Sequence, residues 1–359
     1  MSIPKRVVIV TQEYDPHADA LMPLLIAGGG DPFRLHPADL PTAAYLRMEL
    51  EDRRWVGLFA DRRRKLELTD IRAVWWRRPA RHRLPESLSA DERHFAQLEL
   101  EHTLRGFWAT LDCHWVSAPE SIRAASYKPA QLVRAASLGL EVPRTLITTE
   151  TDAAREFIAR CGGRAIYKVL SDPMLGFATR SDEVMAKCRV AGKPGEPPII
   201  DWSRARTRAT YTTLIDEHNN ELLESINLAP CQFQEYIPKR HELRVTVVGD
   251  DLFVAEIHSQ QHARTTVDWR HYDVTIPYKR GSLPIEIAER CMALVRGYGL
   301  TYAAIDLIVA PDGRHVFLEI NPNGQWLWVA ELVPELRIAE ALAELLLNGK
   351  SSCTLKEVL

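Results

Sequence analysis

The stretch FLEINPNGQWLW, residues 317–328, sets two oxygen-bearing side chains into an otherwise apolar strand. Successive side chains of a strand point to opposite faces, so Phe317, Glu319 and Asn321 are expected on one face, with Leu318 and Ile320 on the other. Upstream, YAAIDLIVAPDGRHVFLEINPN reads as a hairpin turning at Asp312 and Gly313. An even loop sets Asp306 directly across from Glu319; a three-residue Pro-Asp-Gly loop sets it against Leu318 unless a bulge restores the register. Two carboxylates with Cβ atoms roughly 5 Å apart destabilise a hairpin when both are ionised, so a cation is expected between them. Mg²⁺ takes one or two carboxylates plus substrate phosphates, and Asn321 adds a carbonyl oxygen. The competing reading is a solvated sheet face, but the flanks AAI, LIV and VFL are too apolar for a wet strand.

The rest of the chain bounds what such a face serves. With 359 residues, 46% hydrophobic and 26% charged, it is long enough for two or three domains with large cores. Its 45 basic and 48 acidic residues give a net charge of -3, which carries no global signature of a nucleic-acid or membrane partner. No apolar run approaches the roughly 18 residues of a membrane span. MSIPKRVVIVTQ enters a strand rather than a signal peptide, so a cytoplasmic location is expected. Cys113, Cys161, Cys188, Cys231, Cys291 and Cys353 are scattered without metal-ligand spacing and are expected as reduced thiols.

RVVIVTQ and IRAVWWRRP read as strands around a helix and a turn-rich passage, GGGDPFRLHPADLP. ADERHFAQLELEHTLRGFWATL has a helical period with Phe95, Leu98, Leu104 and Leu111 among its apolar positions. Later come a helix from Lys128, the strand RAIYKVL, Gly- and Pro-rich loop, the strand and hinge CQFQEYIP, a hairpin turning at GDD, and a closing helix, IAEALAELLLNG. No internal repeat occurs.

Magnesium of this kind usually serves a nucleotide, yet neither GxxxxGK[ST] nor GxGxxG after a strand is present, and GGG at 28–30 reads as a turn. Two lysines are the candidate phosphate partners: Lys168 within an apolar strand, where a charge is costly to bury alone, and Lys128 at a helix entrance. In ELRVTVVG, Glu242 and Arg244 share a face. Arg244 either stabilises charge on a transferring phosphoryl group or forms a structural pair with Glu242, and this stretch alone does not decide. QEYIP exits its strand at Pro238, where unpaired backbone groups could read a base edge.

In order and spacing these segments, from Tyr127 to Asn323, resemble the ATP-grasp superfamily, whose ligases clamp ATP between two α+β subdomains. The resemblance implies that Lys128 and Lys168 approach the phosphates, that Gln234, Glu235, Tyr236 and Ile237 lie along the adenine, and that Glu242 is near the ribose. Arg244 would face the transferred phosphate, and Asp306, Glu319 and Asn321 would hold Mg²⁺. The implied fold combines α/β and α+β parts: an N-terminal open α/β pre-ATP-grasp domain (1–115), a central α+β domain with the ATP lid (116–234), and a C-terminal α+β ATP-grasp domain with the Mg²⁺ site (235–359).

VWWRRP, PCQFQEYIPKRHELRVTVVG, the DWR of residues 268–270 and EINPNGQWLW further resemble the ATP-grasp maturases of ribosomal peptides, the graspetide or microviridin-like class, nearest to their actinobacterial branch. That resemblance implies phosphorylation of an Asp or Glu side chain of a precursor peptide, followed by closure of an ω-ester by Thr or Ser, or an ω-amide by Lys. The partner would be a precursor with a leader and an acidic, Thr-containing core, bound around residues 180–227; a homodimer is left open. Of His258, Asp268 and Arg270, the last two are favoured for orienting or deprotonating the attacking hydroxyl, because they match the maturases. Three arginines of WSRARTR (202–208) either line a strand face for carboxylates or are solvated loop charge. Arg77 and Arg78 either steer the acceptor carboxylate or stack on an interface built by Trp75 and Trp76, and Trp326 and Trp328 read as packing. The alternatives are a ligase adding a free amino acid to a C-terminal carboxylate and, from another class, an inactive ATP-binding regulatory module.

Overall fold

The computed structural model describes residues 5–171, 174–175, 189–190, 199–200, 208–209, 211–216, 220–271 and 274–349. Most of the expected peptide-binding stretch from 180, and the arginines of WSRARTR, lie outside the described side chains.

An N-terminal parallel sheet orders its strands Gly30–Leu35, Lys5–Val10, Ile71–Trp76 and His114–Val116. Val7, Val8, Ile9 and Val10 are fully buried, as a central parallel strand covered on both faces requires. The passage read as turn-rich contains the strand Gly30–Leu35. Pro32 is tolerated because that strand is at the sheet edge, where a missing N–H leaves no ladder bond unmade. An antiparallel meander, Ala44–Glu51, Arg54–Asp61 and Lys65–Glu67, then precedes the helix Ala90–Thr110. That helix buries Leu104, Phe107 and Trp108 but leaves Phe95 and Leu98 exposed, so its apolar period marks a packed face only in its C-terminal half.

The central antiparallel sheet orders Thr213–Ile215, Ala165–Lys168, Cys231–Glu235 and Thr145–Thr148. The C-terminal antiparallel sheet orders Tyr278–Arg280, Asp251–Ile257, His241–Val248, Tyr302–Val309 and His315–Asn321. On one face of this sheet Leu243, Val245, Ile305, Phe317 and Ile320 pack under the helices Lys128–Ser137 and Ile285–Gly297. Across the other end runs a core shared with the N-terminal sheet, joining Val7, Ile9 and Trp75 to Tyr302, Trp326 and the closing helix Ile338–Asn348. Trp326 is therefore packing, as expected, and Trp75 belongs to an interface.

The hairpin holds a correction. Val309 pairs with His315 across an odd loop, a register that leads Asp306 to Leu318, but the register shifts after Leu307↔Phe317 so that Asp306 faces Glu319. Leu318 is the unpaired bulge residue. Alternation is thereby reset: Phe317 turns into the apolar core instead of sharing the face of Glu319 and Asn321, while Leu318 joins the wall of Ile237, Ile308, Ala310 and Val316. Phe317→Ala should lower stability in urea unfolding by about 3–5 kcal/mol, as truncation of a core aromatic does, and Leu318→Ala by about 1 kcal/mol. Equal losses would place Phe317 outside the core.

Candidate active site

The charged side chains of the site come from several elements. The strand His241–Val248 presents Glu242 and Arg244 on one face, and its neighbours bring Asp306 opposite Arg244 and Glu319 opposite Asp306. Arg244 grips both Asp306 oxygens through one guanidinium nitrogen, at 2.8 and 2.9 Å. Asn321 Nδ2 donates to Asp306 Oδ2 at 3.0 Å and to Glu319 Oε1 at 3.1 Å. Lys128, the first residue of its helix, sets Nζ 3.2 Å from Glu319 Oε2 and donates to the Val169 carbonyl at 2.8 Å. Beyond the pairing of Arg244 with Asp306, Glu242 has its own partner: Lys239 bonds it, and Ser259 Oγ donates to it at 3.1 Å. Of the two alternatives for Arg244, the structural pair with Glu242 does not form; Glu242 and Arg244 belong to two separate ion pairs.

Burial sets the proton affinities. It pushes the Glu319 carboxyl up, but the ammonium groups of Lys128 and Lys168 outweigh it and hold Glu319 at about 2. Burial lowers Lys168 to about 8, against the pull of Glu319. Burial likewise raises Glu242 and Asp306, opposed by Lys239 and Arg244 respectively.

The candidate nucleotide end is built by the central sheet. Lys168 pairs with Gln232 and Ile166 with Gln234, so these four share one face. Gln232 and Gln234 are buried and each keeps a carbonyl oxygen without a hydrogen-bond partner, although Gln234 Nε2 donates to Thr145 at 3.1 Å. Glu235 is clamped by Arg144, whose N and Nε donate to its carboxylate at 2.9 and 2.7 Å and whose carbonyl accepts from the Glu235 N–H at 3.0 Å. Arg164 stacks 4.5 Å above Tyr236, and Ile237 forms the apolar wall with Leu318.

No cluster of three or more His, Cys, Asp and Glu side chains fit for a metal occurs among the described residues. The candidate donor set is the two carboxylates and one amide of Asp306, Glu319 and Asn321. It fits Mg²⁺, which takes its remaining ligands from water and phosphate, whereas it is too sparse for a closed all-protein cage. The Asn321 amide is oriented by the acids beside it, and turned over it offers an oxygen.

Residues 6–123 match the model of the MvdD pre-ATP-grasp domain. Among solved structures, the chain is similar to a RiPP-associated ATP-grasp ligase of Chryseobacterium gregarium, determined with ADP and a leader and core peptide, at 27% identity and TM-score 0.79 over 95% of this chain and 96% of that one. It is similar to the macrocyclase MdnC of Microcystis aeruginosa, determined with its precursor peptide MdnA, at 28% identity and TM-score 0.76 over 96% and 99% of the two chains. The macrocyclase MdnB of the same organism matches at 28% identity and TM-score 0.74, over 96% and 100%. No curated protein matches the sequence.

The chain shares the ATP-grasp fold of these structures. Several residues of the candidate site escaped the sequence. Lys239 neutralises Glu242 but looks like one of many surface lysines, and only its place beside the hinge hinted at more. Gln131, one turn beyond Lys128, donates to the Ile320 carbonyl at 2.9 Å and accepts from the Ile320 N–H at 3.2 Å, holding the backbone between Glu319 and Asn321. Asp268 and Arg270 do come together: Arg270 forks onto Asp268 at 2.6 and 2.9 Å, and the Thr212 N–H donates at 2.8 Å. Burial raises Asp268, but these donors hold it at about 2, leaving it little affinity for a proton. His258 bonds Glu256 at 3.0 Å.

Because the folded Glu319 carboxyl lies at about 2, below its ordinary 4.5, its ionised form contributes stability that is present above 4.5 and lost as pH falls toward 2. Lys128→Met removes the largest charge holding it there. Carboxyl ¹³C titration should show the Glu319 midpoint rising by one unit or more; an unmoved midpoint would mean that Lys128 does not govern it.

Proposed function

We propose that this ATP-grasp protein is a ligase that activates Asp or Glu side chains of a ribosomally made precursor peptide and closes them into ω-ester or ω-amide crosslinks. The observation that carries this reading is the continuous chain Lys128–Glu319–Asn321–Asp306–Arg244, two carboxylates bridged by an amide with a cation at each end, beside the buried Lys168. The likeness to ligases determined with nucleotide and with leader, core or precursor peptide supports it.

In this reading Lys128 and Lys168 neutralise phosphate oxygens, Ile237 and Leu318 wall the adenine, Gln234, Glu235 and Tyr236 border it, and Glu242 meets the ribose. Asp306, Glu319 and Asn321 hold Mg²⁺, which supplies charge neutralisation at the transferred phosphoryl group. Arg244 adds a fixed positive charge beside the same group. A substrate carboxylate oxygen attacks the γ-phosphorus and ADP leaves with the bonding pair. A hydroxyl or amine then attacks the acyl carbon, gives up its proton, and phosphate departs, with a net loss of one water per link. Asp268 and Arg270 orient this region rather than remove the proton, since a carboxylate held at about 2 is a weak base. The boundaries near 115 and 234, a peptide-binding role for 180–227, a cytoplasmic location and a homodimer are part of the proposal. No helix among the described residues is long and apolar enough to cross a membrane.

Co-expression with the short peptide encoded beside the gene should give a product lighter by one water per link in mass spectrometry, with ADP released. An unchanged peptide, with ATP turnover stimulated by free glutamate, would point instead to amino-acid ligation; no ADP with any peptide would point to a binding module. Glu319→Gln should lower turnover by at least a hundredfold, the scale of losing an electrostatic contact to the transition state. Retained turnover would overturn the metal assignment.

A further inference from the structure

Immediately after the strand that carries Glu319 and Asn321, three consecutive main-chain carbonyls each accept from a different buried side chain. Arg77 Nη1 donates to Asn323 O at 2.9 Å, Tyr302 Oη to Gly324 O at 2.8 Å, and Arg244 Nη2 to Gln325 O at 3.2 Å. The Asn323 amide returns a bond to the Arg77 carbonyl. Gly324 leaves no room for a side chain: a Cβ there would stand 2.4 Å from the Ala304 Cβ and 3.1 Å from Arg244 Nη2. The loop is thus squeezed between two arginines, one from the N-terminal sheet and one from the C-terminal sheet.

Arg77 is only 2% exposed, and a charge so deeply buried needs partners. Asp15 lies 3.7 Å away, itself bonded by Thr11 at 2.6 Å, and both follow the central strand of the N-terminal sheet. A simple domain contact would be met by the apolar core around Trp75. Arg77 instead aims its guanidinium at the one loop whose next carbonyl but one fixes Arg244.

We propose that Arg77 is a positioning residue: from the N-terminal domain it fixes the Asn323–Gln325 loop, and through that loop the orientation of Arg244 on Asp306 and the end of the Glu319–Asn321 strand. The inference rests on the reading of Asp306, Glu319 and Asn321 as the Mg²⁺ site. It does not require that the peptide substrate be identified.

Calorimetric titration of the full chain with ADP, with and without Mg²⁺, tests it. In the unaltered protein Mg²⁺ should tighten ADP binding. Arg77→Ala should leave metal-free ADP affinity within about twofold while cutting the Mg²⁺-dependent gain about tenfold, the equivalent of one charge-assisted hydrogen bond. Arg77→Lys, whose ammonium can still reach one carbonyl, should recover part of that gain. An undiminished gain in Arg77→Ala overturns the inference and leaves the metal reading standing. An equal loss with and without Mg²⁺ also overturns it, since that is general structural damage. No gain in the unaltered protein removes the metal reading and this inference with it. Should Arg77→Ala fail to fold, Asn323→Ala, which deletes only the return bond, should reduce the gain about threefold; an unchanged gain there overturns the inference.

Discussion

Three carboxylates sit side by side on a largely buried sheet face, and burial of that much negative charge is tolerable only where cations are built in beside it. Arg244, Lys128, Lys168 and Lys239 supply them, and no two come from the same element: one lies on the sheet itself, one at a helix entrance, one on the central sheet and one in the hinge. The electrostatic need is therefore also an assembly rule. The helix starting at Lys128, the central sheet and the C-terminal sheet must approach one another closely enough for these charges to be satisfied, and under the proposed function the same cations meet a polyanionic ligand.

Much of this was legible because alternation on strands is a strong rule. It placed Glu242 with Arg244 and Glu319 with Asn321, and the apolar flanks showed that these were not surface strands. The order of segments then supplied the fold. What escaped has a common physical origin: it depends on one residue more or less, or on a partner far along the chain. The bulge at Leu318 cannot be inferred from composition, since either Phe317 or Leu318 could have been the core residue. The strand containing Pro32 is decided by its place at the sheet edge. The exposed Phe95 and Leu98 show periodicity without packing, which only the tertiary structure reveals.

The same limit applies to Gln131 and Arg77. Both act on main-chain groups, 189 and 246 positions away respectively, and a main-chain group leaves no trace in the sequence. Residues that bind side chains tend to announce themselves by charge or pattern; residues that hold a backbone in place do not. In this protein the second kind surrounds the first: the metal-candidate strand is held at Ile320 by Gln131 and at Asn323 by Arg77.

The bulge at Leu318 has a metric consequence. In a regular strand the nearest neighbour on the same face is two residues away, at about 7 Å, whereas here Leu318 and Glu319 are consecutive, with Cα atoms about 3.8 Å apart, and share a face. An apolar wall and a carboxylate therefore meet at half the usual spacing. Under the proposed function one strand becomes a short ruler, graduated for a ligand that is flat and greasy at one end and charged a short step further on.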